Sequence, residues 1–353
     1  MLDILRSIFA PSPVRTDAGH EALIQTAIER VVDGTDPRLR AVVGYKKRLT
    51  TAVARSVEYV TGLVDSLSPA VEISRKAFSS DAQLCAVFVS ADHLQEVISS
   101  SYEIRDYLHK AALKPIEPIG CLLSMDLSQK KVLGVEQRGE ILQRDVVQVA
   151  VNFSDHRLVG ITSGESETRW EIKKRAFDHL IEAALLRILS VHTTRKKLDQ
   201  QHQLLRAKLR AMKAGNCGLE SVLTPADGKY PDRVDIERQI SAIEAELLAI
   251  RIGPATLKGL LECIASTLGA PSEYLRLERV SLTLDAMNIT RSEPAGASAT
   301  TLILDEVMGG DRRRIVLLGR IPHTDITDVL SAHRRLDMGR AEQNRCYYGR
   351  KRS

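Results

Sequence analysis

Nine histidines, five cysteines and 45 acidic residues are the raw material for a metal site, an acid–base pair or a thiol nucleophile, and their spacing decides which of these the chain could build. The histidines give no metal spacing. His192 and His202 share one helical stretch but stand ten residues apart, whereas two ligands on one helix face stand about three or four apart. His179 follows Asp178 in an apolar segment and reads as a core histidine. Ser154, Asp155 and His156 are consecutive, yet a catalytic triad is an arrangement in space, and neighbours in a turn point in different directions. His323 and Asp325 are the one His/Asp pair worth testing for catalysis. The cysteines (Cys85, Cys121, Cys217, Cys263 and Cys346) stand singly with no Cys-x-x-Cys, which reads as reduced thiols rather than a disulfide framework.

Phosphate chemistry is equally thin. The string nearest a phosphate-binding loop, Gly253-Pro254-Ala255-Thr256-Leu257-Lys258-Gly259, has neither the spacing nor the hydroxyl. Gly309-Gly310-Asp311 with Arg312, Arg313 and Arg314 could cradle a phosphate, but it falls between two strands, and turn chemistry explains it. Lys46, Lys47, Arg48 and Arg55 read as a solvated helix face. No catalytic residue, metal ligand or cofactor is assigned.

Charge is more informative. The chain carries a formal +5, and the stretch from Arg334 to Ser353 accounts for all of it. There Arg334, Arg335, Arg340, Arg345, Arg350, Lys351 and Arg352 are opposed only by Asp337 and Glu342. With Tyr347 and Tyr348 among them, these residues suit phosphate contact and base stacking, so the tail is the candidate site for nucleic acid or another acidic partner.

The elements that would position such groups follow from periodicity. A length of 353 residues suggests two or three domains, and 44% hydrophobic content suffices for a core without metal or disulfide staples. No run is long and apolar enough to span a membrane. The opening MLDILRSIFAPSP lacks a basic n-region and makes a poor signal peptide, so cytoplasm is the expected location. Residues 2–10 suit a short amphipathic helix, and 21–32 a second. Asp36 and Pro37 open a third that continues to about residue 66, with a seam at Val53, Val57, Val60, Val64 and Leu67. Further helices are expected at 80–89 and 91–112. Two prolines in 114–118 mark a boundary.

Period-two alternation then predicts an antiparallel meander. Its pieces are 119–127, 130–137, 141–151 (phase slip at Asp145) and 157–161, with a turn at 152–156. From 166 to 213 the chain has neither proline nor glycine. The first half is broadly apolar; the second has only a narrow stripe at Leu198, Leu205, Leu209 and Met212. After a loop, Ile236, Ile240, Ile243, Leu247 and Ile250 repeat the narrow seam, so the two helices should pack antiparallel as a coiled-coil arm. The loop at its tip (214–231) carries Leu219, Val222 and Leu223, the candidate partner-binding residues. A helix at 255–268, a strand at 274–289 with a bulge near Arg279, a hairpin at 300–321 and a helix from Thr324 to about 335 complete the chain.

The expected fold is therefore α+β and predominantly helical: an all-α region at 21–113, a meander at 114–165, the helical hairpin at 166–252, a helix with a second meander at 253–335, and a basic tail at 336–353. The short N-terminal helix and linker occupy 1–20. The expected function is non-enzymatic: a protein that binds a protein partner or a second copy through the helical hairpin. The alternatives are nucleic-acid association through the tail, and an enzyme of unrecognised type with its site between the N-terminal helices and the sheet.

Overall fold

The computed structural model describes residues 17–110, 118–138, 141–213, 233–253, 255–291 and 299–326. The fold is α+β with helix predominant, an antiparallel sheet and one very long helix. The chain divides into two compact units, each discontinuous in sequence: Met1–Tyr59 with Phe177–Pro271, and Val60–Ala176 with Ser272–Ser353.

The first unit is built from helices. α1 (Asp17–Gly34) is followed by a 3-10 turn, Pro37–Ala41, and then by α2 (Tyr45–Asp65). The single helix expected from 36 to 66 is thus broken. Asp36 does cap, accepting the Arg38 N–H at 3.0 Å, but Gly44 takes φ +75, a left-handed step that ends one helical run before the next begins. α7 (Glu165–Lys213), α8 (Arg233–Ile252) and α9 (Leu257–Gly269) supply the rest of this unit, α7 from Phe177 onward. Ile24, Ile28, Val53, Phe177, Ile188 and Leu261 of this unit are all buried. Arg30 grips Asp178 with two hydrogen bonds of 3.0 and 2.8 Å, and the buried Ser56 hydroxyl donates to the Leu268 carbonyl at 2.6 Å. Leu189, placed by its sequence in the apolar half of the long helix, is exposed.

The second unit is a sheet covered by short helices. β1 (Val71–Glu72), α3 (Arg75–Phe78), α4 (Ala82–Val87), α5 (Ala91–Ser100) and α6 (Tyr102–Lys110) precede β2 (Ile119–Arg138) and β3 (Ile141–Thr162). β4 (Leu275–Asp285), β5 (Ala299–Gly309) and β6 (Arg312–Ile321) complete one six-stranded sheet of order β3-β2-β6-β5-β4, with β1 parallel to β6. The helix expected over 91–112 breaks at Ser101. There Ser99 and Ser100 donate their hydroxyls back to the carbonyls of Glu96 and Val97, competing with the helical ladder. The two β-rich segments share this sheet, and residues 288–290 join its ends: the Val151 N–H donates to the Asn288 carbonyl and the Thr290 N–H to the Val149 carbonyl, both at 2.8 Å.

Three sequence expectations fail in the sheet. The turn at 152–156 and the break at 127–130 are absent, because β2 and β3 are continuous strands of 20 and 22 residues. Asp155 takes φ 52, and Asp155 and His156 together oppose Met125, so the polar stretch is absorbed as a bulge. The slip expected at Asp145 is present, at φ 59 beside a register shift. The bulge expected near Arg279, by contrast, does not exist; β4 pairs with β5 without a shift from Leu275–Gly309 to Asp285–Ala299. The change of phase marks a change of covered face. Val280, Leu282 and Leu284 join the main core under α4–α6, whereas Leu277 joins a second core with Val64, Leu67, Ile172 and Val316 on the opposite face. β6 is buried on both faces, Ile315 and Leu317 in one core and Val316 in the other, as its continuous apolar run implies. The closing helix is described only to Ile326.

Candidate functional site

α7 holds together over its length for local reasons. Glu165 and Glu167 sit at its positive end, Arg210 and Lys213 at its negative end. Arg169 pairs with Glu165 and Arg175 with Glu171, each four residues apart. Its 49 residues reach about 74 Å at 1.5 Å per residue. Past Ile188 no side chain of α7 is fully buried. What remains is a half-buried stripe at Leu198, His202, Leu205, Leu209 and Met212, spaced four, three, four, three. That is the seam of one helix against another.

Ion pairs set its partner and register. His202 Nε2 lies 2.8 Å and Arg206 Nη2 2.7 Å from Glu244 Oε1, and Lys213 Nζ lies 3.6 Å from Glu237. α7 and α8 therefore run antiparallel, with Leu205, Leu209 and Met212 level with Ile243, Ile240 and Ile236. The hydrogen bond from His202, followed by that from Arg206, holds the Glu244 carboxyl below its ordinary range. Sequence reasoning identified the apolar seam and missed its polar members. His202 fills the seven-residue gap between Leu198 and Leu205, which was the available signal. A second omission is larger: Leu204, Val234, Leu248 and Ile252 stand 72%, 55%, 57% and 72% exposed on the helix pair.

A groove of about 460 Å³ lies between α5 and β3, where an enzyme's cleft was expected. His93, Glu96 and Ser100 line it from α5, and Asn152, Asp155 and His156 from β3. The His156 ring stacks on Phe88 at 4.9 Å and meets the His93 ring edge-on at 5.0 Å. Its Nε2 faces the Val87 carbonyl at 3.0 Å and so carries the proton. Burial pushes the imidazole below its ordinary pKa, opposed by that carbonyl. Asp155 does not orient it. That carboxylate is bound by Arg314 and Arg157, which hold it below the usual range. Ser154, Asp155 and His156 therefore form no triad, and His93 Nδ1 is buried without a hydrogen-bond partner.

The remaining candidates are placed as follows. Asp325 is buried and accepts the Arg75 N–H at 3.1 Å, while His323 is exposed. Gly310 takes φ 60 in the β5–β6 turn, and Arg314 spans Asp126 and Asp155 at 2.9 Å each. Lys46 pairs with Glu29 at 2.9 Å. Among the described residues no three of His, Cys, Asp and Glu are grouped to hold a metal ion, and no helix is long and apolar enough to cross a membrane. Leu219, Val222 and Leu223, the residues from Arg334 to Arg352, and the helix expected at 2–10 lie outside the described residues. The chain matches no known protein family, no curated protein and no solved structure.

Proposed function

We propose that this protein is a non-enzymatic interaction or scaffold protein of the cytoplasm, and that the α7–α8 pair, a coiled-coil hairpin, is its recognition element. The observation that carries this reading is the behaviour of α7 beyond Ile188. Twenty-five residues of helix contribute no fully buried side chain to a core, pair with α8 through ion pairs, and leave Leu204, Leu248 and Ile252 open to solvent. Singly exposed apolar residues are ordinary, but three on one two-helix element that is poor in buried contacts suit a surface completed by another protein. The groove at His156 supplies a packed imidazole and a carboxylate already engaged by two arginines, which is a structural role rather than an acid–base pair.

The test compares the full chain with a version in which residues 192–252 are replaced by a short linker, and with Leu204→Glu. Proteins co-purifying from the native host, and mass in solution, are measured for each. Loss of specific partners from the shortened version, with weakening in Leu204→Glu, is expected. Identical partners and identical mass in all three would refute the reading.

A further inference from the structure

α8 is patterned on two faces. Ile236, Ile240, Ile243, Leu247 and Ile250 form the seam toward α7. Positions 234, 238, 241, 245, 248 and 252 form another stripe, spaced four, three, four, three, four, which is the repeat that lets a further helix lie alongside. It carries Val234, Leu248 and Ile252, all more than half exposed, around the small residues Ser241 and Ala245. The Ser241 hydroxyl donates to its own helix, to the Glu237 carbonyl at 3.0 Å, so a partner covering it would strand no polar group.

We propose that this stripe is a self-association surface, on which α8 of a second copy lies antiparallel across a two-fold axis; the proposal rests on the reading of the helix pair as the recognition element and names its occupant. Charge and size select a second copy. A two-fold axis level with Ile243 sets Val234 opposite Ile252 of the other copy, Arg238 opposite Leu248, and Ser241 opposite Ala245. The smallest side chains meet at the centre, where the helices approach most closely, and larger apolar ones meet at both ends. The same register sets Asp235 opposite Arg251, twice by symmetry. Both residues lie in the described helix, and the Asp235 side chain is 51% exposed, free to reach beyond its 3.0 Å contact with Arg238.

Competing arrangements lose these features. A parallel pair would set Asp235 against Asp235 and Arg251 against Arg251. An antiparallel pair slid by one heptad in one direction sets Asp235 against Glu244 and leaves Ile252 unopposed; slid in the other direction, it leaves Val234 unopposed. An isologous contact is the commonest way for one patch to complete itself. The contact is short, about 30 Å of helix, so a dimer in micromolar exchange with monomer is expected rather than a permanent one.

Sedimentation equilibrium of the full chain over a micromolar concentration range provides the test. A reversible monomer–dimer equilibrium is expected. Leu248→Glu should weaken it roughly tenfold or more, and Asp235→Lys and Arg251→Glu should each weaken it roughly fivefold. The double variant Asp235→Lys/Arg251→Glu should recover most of the loss, although each change is unfavourable to its own helix end. Because all three positions are exposed, helicity by circular dichroism should stay at the parent level, separating lost pairing from lost fold. A chain that is monomeric throughout, a dimer indifferent to Leu248→Glu, or a double variant no tighter than the weaker single would each overturn the proposal. In the first of these cases, partners still lost on removing 192–252 would leave the recognition role of the helix pair standing.

Discussion

Glu29 offers the sharpest quantitative test of how the unit bearing the helix pair is held. It lies on α1 and accepts hydrogen bonds from Tyr45 Oη at 2.7 Å and Arg40 Nη2 at 2.9 Å, with Lys46 Nζ at 2.9 Å. It thus ties α1 to the 3-10 turn and to the start of α2. Its carboxyl is pulled from 4.5 to about 2, chiefly by Lys46, then by Tyr45, against a smaller opposing effect of burial. At about 1.36 kcal/mol per unit, the full shift would correspond to about 3.4 kcal/mol. The side chains of Glu29, Arg40 and Lys46 are 34%, 40% and 48% exposed, so solvent screens much of this, and about 1–1.5 kcal/mol is expected. The sign follows from linkage. A carboxyl whose folded pKa is depressed stabilises the fold fully above 4.5, and that contribution is lost as pH falls toward 2. Glu29→Gln should therefore cost about 1–1.5 kcal/mol in urea unfolding near neutral pH, and much less near pH 3. A parent–variant difference that is the same at both pH values would refute the account, as would one that does not shrink in high salt.

Two further changes probe the sheet unit. Gly120→Ala should destabilise by roughly 1–3 kcal/mol, read as a lower thermal midpoint, because the added Cβ would sit 2.1 Å from Thr168 Oγ1 and 2.9 Å from the Gly164 carbonyl. A neutral result would mean that the first turn of α7 can yield where Thr168 is fully buried. His156 is held below its ordinary pKa of 6.5, so the folded chain resists a proton that the unfolded chain accepts. Stability should be full above 6.5 and fall as pH drops through the folded value; His156→Phe, which keeps the stack on Phe88, should flatten that fall, and an unchanged pH profile would remove His156 as its source.

Helical periodicity was legible wherever one continuous helix meets one partner. The long helix, its antiparallel neighbour and the cap at Ser90 can all be read from spacing and cap chemistry, and the His93 N–H does donate to the Ser90 hydroxyl at 3.1 Å. Failures occurred where distant residues decide. Nothing within 271–290 tells that Leu277 meets Val64 while Leu282 and Leu284 face α4–α6, so a change of covered face imitated a bulge. Likewise 152–156 has the composition of a turn. It remains strand because β2 runs continuously beside it and Arg314, 159 positions away, binds Asp155.

The helix pair shows the same limit from the other side. Ile236, Ile240, Ile243, Leu247 and Ile250 already satisfy the spacing of one helix packed on another, so the remaining apolar residues of α8 carry no weight in a reading that seeks one seam. Once His202, Arg206 and Lys213 assign that seam to α7, the exposed Leu248 and Ile252 are left outside it. An apolar residue that stays exposed on the face turned away from the seam gains nothing from burial within the chain, and the hydrophobic effect favours covering it by association instead. The proposed association surface is therefore the residue of a subtraction, apolar positions minus the seam. That subtraction requires the register that the ion pairs supply.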